Sequence, residues 1–114
     1  MRIRAAEFAS RERVLRAMSL QDELTGLYNR RGLLAAAEHT IEEAGRRKAG
    51  FAVLFIDING LKAINDAHGH AAGDQALQEA AALIRATFRK TDVVARLGGD
   101  EFAVLLVGRE ATGV

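Results

Sequence analysis

The sequence predicts an α+β domain, helices packed on a largely antiparallel sheet. Three observations carry this. Apolar residues recur at helical spacing after Asn29 and again after Asp74. Residues 51–56 form an uninterrupted apolar run of strand length. Two further apolar segments flank Gly98-Gly99, the pattern of a hairpin.

The elements follow in chain order. Residues 1–21 are polar and Arg-rich, with Phe8, Leu15 and Met18 on one side of a helix and Arg4 and Arg11 interrupting the seam. Two readings stand: a signalling or dimerisation helix, and a solvated lead-in. The stretch from Asp22 to Tyr28 is turn-like, and Asn29 has the chemistry of an N-cap. Leu33, Leu34, Ala37, Ile41 and Ala44 then predict a helix to about Arg47, ended by Gly50. The run 51–56, apolar on both faces, reads as a buried strand of a covered sheet that stops at Asp57. A short helical turn is expected around 61–64, then a polar, Gly-rich loop over 65–73, with Asp74 capping the next helix. The buried stripe of that helix is Leu77, Ala80, Ala81, Ile84 and Phe88. Strands over 92–97 and 102–107, joined by a tight Gly98-Gly99 turn, complete the order helix, helix, strand, helix, hairpin.

Bulk properties narrow the function classes. The 114 residues suffice for one domain with a modest core. Sixteen Lys and Arg against fifteen Asp and Glu leave a net charge of +1, so nothing electrostatic points to a nucleic acid polymer or a membrane surface as partner. Cysteine is absent, which excludes disulfides and thiolate metal sites and fits a cytoplasmic location. The longest apolar run is far too short to span a bilayer, and no apolar stretch follows Met1-Arg2-Ile3-Arg4, so no signal peptide is expected.

Chemistry concentrates at two carboxylate loci. Asp57 stands where the apolar strand ends, and Asp100-Glu101 at the hairpin turn. Acids from neighbouring strand ends make a hard, oxygen-only pocket suited to Mg²⁺ and, through it, to triphosphate oxygens. Singly, each acid is better read as a turn cap or a solvated side chain; together they favour the cation. Gly98-Gly99 lets a bulky ligand approach without a Cβ in the way. The turn after Asp57, with Lys62, offers phosphate contacts. Asn65 and Asp74 supply the mixed donors and acceptors a guanine edge requires, although both also suit turn and cap roles. His68 and His70 have no third soft ligand, so a packing or hydrogen-bonding role is favoured over zinc.

The string Arg96-Leu97-Gly98-Gly99-Asp100-Glu101-Phe102 resembles the signature of the GGDEF family of diguanylate cyclases. Asp22-Glu23-Leu24-Thr25-Gly26-Leu27-Tyr28-Asn29 resembles the family's entry motif. The segments from Phe55 to Lys62 and from Asn65 to Asp74 resemble its metal, phosphate and guanine motifs. The resemblance runs from residue 22 to about 107 and implies an adenylyl-cyclase-like, palm-type fold. It divides the chain into an N-terminal helix, residues 1–21, and the N-terminal part of a GGDEF domain, residues 22–114.

The same resemblance implies roles. Asp57 and Asp100 would bind Mg²⁺ (or Mn²⁺) through carboxylates and Ile58 through its carbonyl, with Glu101 beside the metal. Either Asp100 or Glu101 would help deprotonate the ribose 3′-hydroxyl. Lys62 would contact phosphate, Asn65 and Asp74 would read guanine, and His70 would line the nucleotide pocket. Two facing subunits, each with one GTP, would form cyclic di-GMP and release pyrophosphate, which makes a homodimer or higher self-association the implied partner state. Arg89-Lys90-Thr91-Asp92, just ahead of the hairpin, resembles the family's RxxD product-inhibition site, where Arg89 and Asp92 would hold cyclic di-GMP.

The chain departs from the pattern at Asn59, where the family most often has Asp, and at Leu61, where it often has Phe. Family domains also continue beyond the hairpin, so an exposed sheet edge and a reduced phosphate clamp are expected here. The alternative to a cyclase is accordingly a catalytically weak or inactive module that binds cyclic di-GMP or GTP, or that dimerises.

Overall fold

A computed structural model describes residues 19–109. The helix expected over 1–21 lies almost wholly outside the described residues. The elements are α1 (Arg30–Arg46), β1 (Gly50–Asp57), α2 (Leu61–His68), α3 (His70–Thr87), β2 (Val93–Gly98) and β3 (Glu101–Arg109). The three strands are antiparallel in the order β1-β3-β2. This is the α+β arrangement expected, a three-stranded antiparallel sheet between helices.

The central strand is the most buried. Phe102, Ala103, Val104 and Leu105 are essentially inaccessible, because β3 has a neighbour on each edge and helices over its faces. Alternation along the strands sorts the core into two halves. Phe102, Val104 and Val94 meet Leu77, Ala81 and Ile84 of α3 on one face. Leu105, Val107 and Val93 meet Ala44, Leu33 and Ala37 of α1 on the other.

α1 begins as its sequence predicts. The Asn29 side-chain oxygen accepts from the Gly32 N–H at 2.8 Å, satisfying one of the free donors of the first turn. Two expectations fail away from the hairpin. The first is the covered strand: Phe51, Val53, Leu54 and Phe55 are exposed. β1 is an edge strand whose only sheet neighbour among the described residues is β3, and the helices concentrate on β2 and β3. A continuous apolar run records what a strand can bury, not what lies over it.

The second is the loop over 65–73. α2 continues to His68 and α3 starts at His70, with Gly69 alone between them. Gly69 takes φ 89° and ψ 168°, which turns the chain sharply enough for two helices to abut without a linker. Its N–H closes α2 on the Asn65 carbonyl at 2.8 Å. Asp74 therefore sits inside α3 and is not its cap. The polar, Gly-rich composition resembled a loop because Gly73 is there for packing rather than for turning.

Candidate active site

The end of β1 and the β2–β3 hairpin form one corner of the molecule. Strand register sets Asp57 directly opposite Glu101, and Ile58 N–H donates to the Asp100 carbonyl at 3.0 Å. Directly opposed residues of an antiparallel pair point to the same face with Cβ atoms about 5 Å apart. The backbone thus brings together Asp57, Ile58, Asp100 and Glu101, the residues singled out as metal-binding and catalytic. Asp57 and Glu101 are exposed and Asp100 is partly buried.

The hairpin turn is displaced by one residue from the expected Gly98-Gly99. Gly98 pairs with Glu101 as the last residue of β2, and the two turn residues are Gly99 and Asp100. Gly99 has φ 52°, a region where a side chain costs energy, so glycine here delivers Asp100 to the tip.

Arg96 fixes this tip, a role not read from the sequence. Its Nε and Nη2 donate to the Gly99 carbonyl at 3.0 and 2.9 Å, and its Nη1 donates to Asp22 Oδ1 at 3.0 Å. Asp22 in turn accepts from the Thr25 N–H at 3.0 Å and the Thr25 hydroxyl at 2.7 Å through its other oxygen. The segment is tied again where Arg96 N–H donates to the Tyr28 carbonyl at 2.9 Å. One planar guanidinium thereby joins the entry motif to the carboxylate hairpin. Both motifs were visible in the sequence, but no local spacing pairs residues 74 apart.

The residues to which the sequence resemblance assigns phosphate and guanine contacts lie on α2 and α3. Lys62 is exposed in the first turn of α2, Asn65 is half-buried in its middle, and His70 and Asp74 are exposed in the first turns of α3. α2 follows Asp57 after three residues, so the carboxylate corner and this helix pair are adjacent in the chain.

The corner offers hard carboxylate and carbonyl oxygens, the donor chemistry of a divalent cation such as Mg²⁺. No group of three or more His, Cys, Asp and Glu side chains able to hold a metal occurs among the described residues. The oxygens of Asp57 and Asp100 instead match Mg²⁺, which takes one or two carboxylates and completes its shell with water and substrate phosphates.

Arg89 and Asp92 lie apart from this corner, in the turn before β2. Asp92 is only 2% exposed. Its carboxylate accepts from the Arg89 N–H at 2.9 Å and faces the Val107 N–H at 3.4 Å, so it holds the turn and the neighbouring strand. The Arg89 side chain is half exposed; its Nη2 donates to the Val107 carbonyl at 3.0 Å. It lines a cavity of about 370 Å³ together with Thr40, Glu43, Arg47, Thr91, Val107 and Gly108.

The family model described as "Diguanylate cyclase, GGDEF domain" matches residues 19–113. The chain belongs to the GGDEF domain family. It is 48% identical over 106 residues to the bifunctional diguanylate cyclase/cyclic di-GMP phosphodiesterase MucR of Pseudomonas aeruginosa, covering 93% of this chain and 16% of MucR. It is 38% identical over 107 residues to the probable diguanylate cyclase DgcC of Escherichia coli K12, covering 94% of this chain and 29% of DgcC. The chain thus spans less than a third of these relatives. Among solved structures, it is similar to the GGDEF domain of DgcB from Caulobacter crescentus in complex with c-di-GMP. That match has a TM-score of 0.75 and 30% identity and covers 82% of this chain and 55% of the other. The GGDEF string itself runs from the last residue of β2 through the hairpin turn into the first residues of β3. No helix among the described residues is long and apolar enough to cross a membrane.

Proposed function

We propose that this GGDEF domain is the GTP-holding half of a diguanylate cyclase, in which two copies face each other and join two GTP molecules into cyclic di-GMP. The pairing of Asp57 with Glu101, together with the Ile58–Asp100 backbone bond, carries the reading. It assembles acids from two strands at one edge, where a triphosphate can enter. Asp57, Asp100 and the Ile58 carbonyl hold Mg²⁺ or Mn²⁺, and the cation supplies charge neutralisation at the phosphates and orients them. Lys62 contacts phosphate, His70 lines the pocket, and Asn65 and Asp74 read the guanine edge. Glu101 or Asp100 takes the proton of the 3′-hydroxyl, whose oxygen attacks the α-phosphorus of the partner's GTP and displaces pyrophosphate. Performed twice, this closes the ring. Rate comes from positioning and charge rather than from a covalent intermediate. The reaction belongs in the cytoplasm, where GTP is available.

Incubation with GTP and Mg²⁺ tests this by direct detection of cyclic di-GMP. Asp57→Asn and Asp100→Ala are each expected to lower product formation at least about 100-fold while circular dichroism is unchanged. Full activity in Asp100→Ala would refute the assignment.

The cavity beside Arg89 favours a second reading, a module that binds cyclic di-GMP without making it. Arg89 supplies a planar fork for the guanine edges, while Asp92 shapes the turn that presents it. Saturable cyclic di-GMP binding lost in Arg89→Ala, with no turnover of GTP by the wild type, selects this reading.

A further inference from the structure

Gly73 lies in α3 one turn after its start, is buried, and has an ordinary helical φ. Glycine is less favourable than alanine in a helix, and alanine occupies positions 71, 72 and 76 of this same helix. Backbone geometry therefore gives no reason for glycine at this position. Its surroundings do. A Cβ on Gly73 would lie 2.7 Å from Asn65 Cγ and 3.3 Å from Nδ2, and closer still to Oδ1. The Asn65 amide thus rests directly on the α3 backbone, in space that any side chain at position 73 would occupy. The Asn65 backbone is held in α2 by its carbonyl, which accepts the Gly69 N–H at 2.8 Å, so an added methyl is accommodated at the side-chain amide instead. An added methyl would have to rotate the amide away from its seat.

We propose that Gly73 is a positioning residue for base selection: its missing side chain seats the Asn65 amide at the angle needed to pair with guanine. This rests on the reading of Asn65 as a guanine contact. An amide offers a donor and an acceptor at fixed spacing, and guanine is told from adenine by the order of those groups on its edge. A rotated amide loses both bonds together. Asp74 follows Gly73 directly, so the helical turn that carries one guanine-facing group also serves as the bed of the other.

Binding of GTP and ATP is measured by calorimetry in the presence of Mg²⁺, for wild type, Asn65→Ala, Gly73→Ala and the double variant. The wild type is expected to prefer GTP. Gly73→Ala is expected to reduce that preference at least tenfold, through weaker GTP binding, with ATP affinity changed less than threefold. In the Asn65→Ala background the same substitution should cost nothing further. A wild type that binds GTP and ATP alike, or an Asn65→Ala variant that retains the preference, sinks the guanine reading and this inference with it. Loss in Asn65→Ala with full preference in Gly73→Ala overturns the positioning role alone. So does an equal loss from Gly73→Ala in both backgrounds, because the effect would then not pass through Asn65. Should Gly73→Ala fail to fold, the double variant decides. Recovery of folding supports the collision, and continued failure overturns it.

Discussion

The Asp22 carboxylate and the Arg96 guanidinium meet at 3.0 Å, both side chains more than four-fifths covered. The contact joins the segment that enters the domain to the turn that carries Asp100. The same guanidinium also holds the Gly99 carbonyl, so one side chain links the entry segment to the carboxylate tip.

Arg96→Lys is the sharper probe of this connection. An ammonium on a flexible stem cannot hold Asp22 and Gly99 together as a planar fork does. The variant is expected to fold with a small loss of stability and to lower cyclic di-GMP formation by about tenfold, through looser placement of Asp100. Asp22→Ala leaves a largely covered guanidinium short of a partner and should cost about 1–3 kcal/mol in urea unfolding. Unchanged turnover in both variants would show that the connection is structural only.

Gly32→Ala is expected to destabilise although alanine is the better helix former. A Cβ there would stand 2.7 Å from Tyr28 Cδ1 and 3.0 Å from the Leu20 carbonyl carbon, where the entry segment crosses α1. The Asn29 N–H donates to the Leu20 carbonyl at 2.9 Å and holds that crossing in place. Overpacking of this kind costs about 1–3 kcal/mol, more than the propensity gain of about 1 kcal/mol. Chemical denaturation with an unchanged m-value is the measurement.

Asp92 and Arg89 should separate when mutated. Asp92→Ala removes a buried acceptor of the Arg89 N–H and should lower stability by about 1–3 kcal/mol, whatever happens to ligand binding. Arg89→Ala, half exposed, should change stability by less than about 1 kcal/mol. If cyclic di-GMP binds there, it should lose affinity by at least about tenfold. Equal destabilisation by the two substitutions would contradict this division.

The exposed face of β1 should govern self-association of the purified chain. Phe55 is 75% exposed and Val53 45%, two positions apart on an edge strand and therefore on one face. Val53→Lys is expected to leave stability within about 0.5 kcal/mol and to reduce concentration-dependent association in sedimentation experiments. Association unaffected by Val53→Lys and Phe55→Lys would place the contact elsewhere.

Much of the candidate site was legible because its residues cluster in short motifs. Asp57 could be found where an apolar run stops at an acid, and Asp100-Glu101 from its place after a glycine pair between two apolar segments. Burial of β1 could not, since an apolar run does not reveal what covers it. The α2–α3 junction was misread because a single glycine accomplished what usually takes a loop.

By itself, the amino-acid order determined the sequence of helices and strands outside the α2–α3 junction, the Asn29 cap, the burial of Leu77, Ala81 and Ile84 on α3, and which acids stand at the strand end and the hairpin. Only the tertiary structure decided that Asp57 stands opposite Glu101, that Asp22 reaches Arg96 and that Gly73 makes room for Asn65. Those relationships depend on strand pairing across the sheet and on the close approach of backbones distant in the chain, neither of which any spacing along the chain fixes.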